Sequence, residues 1–246
     1  MFQLKKSAVF LSDLHVINIL DDRYQFLLDF LNHSITNNAE QIFLIGDIFD
    51  LMIGNHQEYF ILYKDFFNLI LKHLLAGKEI FYFQGNHDFH IENLFQMKFR
   101  NFNNFHLFDA QAIFNYQNKR IYISHGDELD INNISYQKYK GFIRSNLIKL
   151  AANHLVTYNT ISMVAKHLAN HSKRSQRNFN WDKTFNSYRN IIEKLWNNNI
   201  DVVICGHGHV VDAWEEGVKA YYNMGFTAQE KHFLRFDGTF FEFVPI

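Results

Sequence analysis

The sequence predicts an α/β domain on three observations: short apolar runs that each end on a polar residue, amphipathic helical patterns between the first of these runs, and aromatic-rich strand patterns near the end. Val9 to Leu11 is the first run, and it ends in Ser12-Asp13, as a buried strand does when its C-terminal end delivers polar groups. Gln41 to Ile45 leads into Gly46-Asp47, Ile80 to Phe83 into Gly85-Asn86, Ile121 to Ile123 into Ser124-His125, and Val202 to Ile204 into Gly206-His207. Between the first three runs, Tyr24, Leu27, Leu28 and Leu31 share one helical face, and Phe66, Phe67, Ile70, Leu71 and Leu74 share another. The chain closes in strand patterns at Tyr221-Tyr222, His232 to Phe236 and Phe240 to Phe243, punctuated by Gly225 and by the hairpin signal Asp237-Gly238.

Residues 134–196 break this alternation. Helical spacing appears at Tyr139, Phe142, Ile143, Leu147 and Leu150, then at Ile161, Val164, Ala165 and Leu168, which predicts a helical insertion inside a single domain spanning 1–246. The insertion is basic: from Ile134 to Lys183 there are nine Lys or Arg against one acid, Asp182, so this stretch carries +8 and the remainder −9 for a net charge of −1. Such a balance argues against a chain that coats nucleic acid over its whole surface. The 27 Phe and 12 Tyr are a high aromatic content that serves a core, a greasy surface or both, and composition alone does not separate these uses.

One cysteine, Cys205, excludes a disulfide framework and thiolate metal clusters, and reads as a buried strand residue. It fits a reducing cytoplasm. The N-terminal apolar stretch is broken by Asp13, too early for a secretory signal, and no run of about 18 apolar residues marks a membrane span. Contact with a membrane is therefore expected only from the side, at the inner, cytoplasmic face.

The polar residues at the strand ends form a constellation. Asp13-x-His15 alone is a weak signal, but Gly46-Asp47-Ile48-Phe49-Asp50 adds a carboxylate able to bridge two cations, since each of its oxygens has lone pairs to spare. Gly85-Asn86-His87-Asp88 adds an amide carbonyl, an imidazole and a carboxylate, with the glycine permitting a sharp turn. His125-Gly126-Asp127 and Gly206-His207-Gly208-His209 supply three more imidazoles. Oxygen and nitrogen donors without thiolate suit two divalent ions, Mn²⁺ first, with Fe or Zn²⁺ also accepted. Two such ions roughly 3.5 to 4 Å apart clamp both oxygens of an in-line displacement at phosphorus and activate water without a protein base. His87, left over from the ligand count, is assigned to stabilising charge on phosphorus or protonating the leaving group, with Asp88 orienting it.

In this order the motifs D-x-H, G-D-x-x-D, G-N-H-D, H-G-D and G-H-x-H resemble the calcineurin-like metallophosphoesterases, from Asp13 to His209. The resemblance implies one metal on Asp13, His15, Asp47 and His209, the other on Asp47, Asn86, His125 and His207, and a four-layer α/β/β/α sandwich with the site at the strand ends.

Within that family the chain is most similar to the UDP-2,3-diacylglucosamine pyrophosphatases of lipid A synthesis. The likeness rests on His125-Gly126-Asp127-Glu128-Leu129 followed by Tyr136-Gln137, and on Ala169-Asn170-His171-Ser172-Lys173. It implies that the insertion is a lid over acyl chains, that the substrate is a nucleotide-linked lipid split into UMP and 2,3-diacylglucosamine 1-phosphate, and that Asn86, His87, Asn133, Ser172, Gln176, Arg177 and His207 contact it. An anionic membrane surface is a further expected partner; nucleic acid and an obligate protein partner are not. The pattern departs at His87, where these enzymes typically have Arg, at Asn133, where they have Asp, and after Ser172, where only Gln176 and Arg177 stand near the expected Lys and Asn. A phosphodiesterase or pyrophosphatase acting on another nucleotide, a nuclease guided by the basic stretch, and an inactive coat-type scaffold remain the competing readings. The scaffold is disfavoured because no ligand is missing.

Overall fold

The computed structural model describes residues 2–164 and 181–246. In chain order the strands are β1 (Phe2–Gln3), β2 (Ala8–Leu11), β3 (Gln41–Ile45), β4 (Met52–Ile53), β5 (Glu79–Phe83), β6 (Asp88–Phe89) and β7 (Phe105–Phe108). They continue as β8 (Ala112–Tyr116), β9 (Lys119–Ile123), β10 (Val202–Cys205), β11 (Val211–Glu216), β12 (Lys219–Met224), β13 (His232–Phe236) and β14 (Phe241–Pro245). Two six-stranded sheets result, in the orders β14-β13-β2-β3-β5-β7 and β1-β8-β9-β10-β12-β11, with β4 and β6 as a small separate pair.

The apolar runs are continuous because both faces of these strands are covered. Along β2, Val9 and Leu11 pack toward the helices Asp22–Asn32 and Lys64–Leu75, while Ala8 and Phe10 enter the layer between the sheets. On the other sheet, Val202 and Ile204 face the inter-sheet layer, and Val203 and Cys205 pack under Tyr188, Ile192 and Trp196 of the helix Trp181–Asn197. Helix, sheet, sheet and helix are therefore stacked in four layers.

Much of the aromatic surplus fills the inter-sheet layer. Phe10 stacks on Phe43 at 4.6 Å, Phe43 on Phe81 at 4.7 Å, and Phe81 on His106 at 4.8 Å, a ladder that crosses four neighbouring strands.

Strands β2, β3, β5 and β7 run parallel, as do β9, β10 and β12, so the C-terminal ends of β2, β3 and β5 and those of β9 and β10 open at one end of the sandwich. Between β9 and β10 the described chain is helical at Ile134–Ile143, Asn146–His154 and Trp181–Asn197. No described helix is long and apolar enough to cross a membrane.

Candidate metal centre

Each strand end bends abruptly into the site. Asp13, His15, Asp47, His207 and His209 all adopt left-handed backbone, with φ of 50°, 51°, 52°, 62° and 52°. That conformation costs a residue with a side chain about 1–3 kcal/mol and persists only where its surroundings hold it. Here the holding bonds are visible. The N–H of His15 donates to the Asp47 carbonyl at 2.8 Å, that of Asp13 to the Gly46 carbonyl at 3.1 Å, and that of His207 to both oxygens of the Asp13 carboxylate at 3.0 and 2.9 Å. Gly85 and Gly206 allow the close approach, because a Cβ on either would collide with the carboxylate of Asp47 or Asp13 respectively.

Three groups of candidate donors result among the described residues: His15, Asp50 and His87 form one, and the other two share Asp47. Ligand atoms of Asp13, His15, Asp47 and His209 lie within 4.8 Å of one another, and those of Asp47, His125 and His207 form a second set on the same criterion. The Asn86 carbonyl oxygen sits 3.1 Å from His125 Nε2, adding the amide to the second set. All seven residues expected from the sequence are thus gathered at one place, with Asp47 between the two halves.

The electrostatics suit cations. Burial opposes charge on His125, yet the Asp47 and Asp13 carboxylates outweigh it and raise its pKa well above the ordinary histidine value. Burial holds His207 down, to about 4, with His125 adding to the effect, which keeps it a neutral lone-pair donor. Buried carboxylates that draw positive charge, beside imidazoles and an amide oxygen without thiolate, fit two divalent cations of the Mn²⁺, Fe or Zn²⁺ type.

Asp88 departs from its expected role. Its carboxylate, fully buried, accepts the N–H groups of Asp47 (3.0 Å), Ile48 (2.9 Å) and Gly85 (2.7 Å) and the hydroxyl of Tyr82 (2.6 Å). Burial raises its pKa to about 6, the Asp47 charge adding to this, so at neutral pH it is ionised and its lone pairs are free to hold the strand ends. It does not orient the His87 ring. Asp50 does: His87 Nδ1 donates to the Asp50 carbonyl at 2.7 Å and lies 3.8 Å from its carboxylate, which is also 3.7 Å from His15 Nδ1. The sequence signal for Asp50 was its place as the second acid of the Gly46-Asp47-Ile48-Phe49-Asp50 motif, to which no role had been given. Nδ1 of His87 is so engaged, and the His87 side chain is 33% exposed.

Other expected contacts are placed differently. Asn133 is exposed and caps the helix Ile134–Ile143, its side-chain oxygen accepting from Tyr136 N at 3.1 Å. Ser172, Gln176 and Arg177 lie outside the described residues. Two aromatic walls were not foreseen: Phe226 stacks on His209 at 5.4 Å, and Tyr136 lies over His207 at 5.1 Å.

The chain is also similar in sequence to known proteins. A family model described as calcineurin-like phosphoesterase matches residues 7–211. The UDP-2,3-diacylglucosamine hydrolase of Aliivibrio fischeri (strain MJ11) is 26% identical over 151 residues, 61% of this chain and 59% of the relative, so the match spans less than two thirds of that relative's length. The protein of the same name from Psychromonas ingrahamii (strain DSM 17664 / CCUG 51855 / 37) is 27% identical over 215 residues, 86% of this chain and 84% of the relative. Among solved structures, one described as a novel archaeal phosphodiesterase covers 98% of this chain and 99% of its own at 12% identity and a TM-score of 0.49.

Proposed function

This chain belongs to the calcineurin-like phosphoesterase family, and from that premise we propose that it hydrolyses the pyrophosphate of UDP-2,3-diacylglucosamine, releasing UMP and 2,3-diacylglucosamine 1-phosphate, with two Mn²⁺ ions. The observation that carries the reading is the pair of donor groups joined at Asp47; the substrate follows the activity for which the relatives are named.

When bound, the two cations supply Lewis acidity toward the phosphate oxygens and lower the pKa of water. The chain's own residues do the rest. Asp47 contributes to both donor groups and fixes their relative position. His87, anchored through Nδ1 by Asp50, offers Nε2 toward the phosphate or the departing oxygen. Burial opposes its charge, but the Asp47 and Asp50 carboxylates raise its pKa above the ordinary value, favouring the protonated form that donates. Phe226 and Tyr136 pack against His209 and His207 and restrict their rings.

The lipid part of the substrate is supported by the segment after β9. Phe142, Leu147, Leu150, Leu155 and Met163 are each more than half exposed there, beside Lys138 and the partly buried Lys140 and Lys149. Apolar side chains among cations suit acyl chains and an anionic surface, so we place the enzyme at the cytoplasmic side of a membrane as a peripheral protein. Failure to sediment with anionic liposomes at low salt would remove this part of the reading.

Incubation with Mn²⁺ and UDP-2,3-diacylglucosamine is expected to yield UMP and the lipid phosphate with wild type and nothing with Asp47→Ala. Intact substrate alongside cleavage of a simple phosphodiester would keep the hydrolase and discard the lipid.

A further inference from the structure

Arg144 closes the helix Ile134–Ile143, far in sequence from every metal-site motif except His125-Gly126-Asp127. Its guanidinium nevertheless reaches the end of β5. Nη2 donates to the carbonyls of Gln84 at 3.2 Å and Gly85 at 2.8 Å, and Nη1 donates to the Asp109 carbonyl at 3.0 Å. Nε is buried without a hydrogen-bond partner among the described residues, so the side chain gives up one bond in the geometry that gains three.

The residue gripped matters more than the number of bonds. Gly85 already donates its N–H to Asp88 at 2.7 Å, packs its bare Cα side against Asp47, and leads directly into Asn86 and His87. Its peptide is held from one side by a core carboxylate and from the other by an arginine of the helical segment. We propose that Arg144 is a positioning residue of the metal centre: it fixes the peptide that aims Asn86 and His87, and so makes the helix Ile134–Ile143 a structural part of the site. The inference rests on the dimetal reading above.

Nearby contacts hold the arginine in register. His90 Nε2 donates to the Ile143 carbonyl at 2.8 Å, Lys149 pairs with Glu92 at 3.2 Å, and Lys140 pairs with Asp127 at 3.0 Å, two residues beyond His125. Only a planar fork spans three carbonyls held this way. A lysine carries the same charge but presents a single point, and it cannot bind Gln84, Gly85 and Asp109 together.

The test is calorimetric titration of Mn²⁺ into wild type, Arg144→Lys and Arg144→Ala, with the metal-free melting temperature measured in parallel. Supporting groups behind metal ligands are worth roughly 10–100-fold in metal affinity. Both variants are expected to bind one Mn²⁺ about 10-fold or more weakly, and millimolar guanidinium is expected to restore affinity to Arg144→Ala while leaving wild type unchanged. Should Arg144→Ala fail to fold, Arg144→Lys decides the matter by its affinity alone. Variants that melt earlier but bind Mn²⁺ as wild type does would reduce Arg144 to a packing role and overturn the inference. Wild type that binds no Mn²⁺ would overturn the dimetal reading instead.

Discussion

Asp88 accepts the backbone N–H of Asp47 at 3.0 Å, so the residue shared by both donor groups is held in its left-handed turn by a buried carboxylate that belongs to neither. Removing that carboxylate leaves three N–H groups and the Tyr82 hydroxyl unpaired in the interior. Asp88→Ala is expected to cost about 3 to 5 kcal/mol of stability, and Asp88→Asn less, since the amide keeps one acceptor oxygen. Urea unfolding measures both; unchanged midpoints would show that the strand ends hold themselves.

Gly85→Ala and Gly206→Ala place a methyl against the carboxylates of Asp47 and Asp13. Both are expected to lose Mn²⁺-dependent thermal stabilisation. In wild type that stabilisation reaches roughly 2.7 kcal/mol when free metal is 100 times its Kd. Scanning fluorimetry with and without Mn²⁺ distinguishes this from simple unfolding, because a folded variant still shows a cooperative transition.

His87→Gln removes the proton donor but keeps a side chain of similar reach. A drop in kcat of about 10²–10⁴ is expected on substrates with poor leaving groups, and a smaller one on p-nitrophenyl esters, whose leaving group departs without protonation. Equal losses on both would assign His87 to charge stabilisation at phosphorus alone. Asp50→Ala keeps the backbone carbonyl that holds His87 Nδ1 and removes only the carboxylate 3.8 Å away, so it is expected to lower the His87 pKa and cause a smaller loss than His87→Gln, read as a shift in the pH profile.

The parts of this architecture legible in the sequence are those buried on both faces. The runs leading to Asp13, Asp47, Asn86, His125 and His207 read as strands because helices and a second sheet cover them, leaving no polar alternation to blur the signal. Strand β7, half-buried throughout, and β11 at a sheet edge carry mixed sequences and gave no such pattern. The donor set was legible because carboxylate, amide and imidazole recur after strand ends. Asp88 misled for the same reason: its neighbour in sequence is His87, but its hydrogen bonds run to backbone N–H groups at the ends of β3 and β5 and to the Tyr82 hydroxyl. Arg144 left no trace, because backbone carbonyls, its partners, have no sequence signature.

Metal stoichiometry tests the central claim most directly. Metal-depleted protein dialysed against Mn²⁺ and assayed by atomic emission is expected to hold two ions per chain, to fall toward one in His207→Ala, and to hold neither tightly in Asp47→Ala, because Asp47 serves both groups. A single ion in wild type, or two retained after Asp47→Ala, would contradict a centre bridged by that carboxylate.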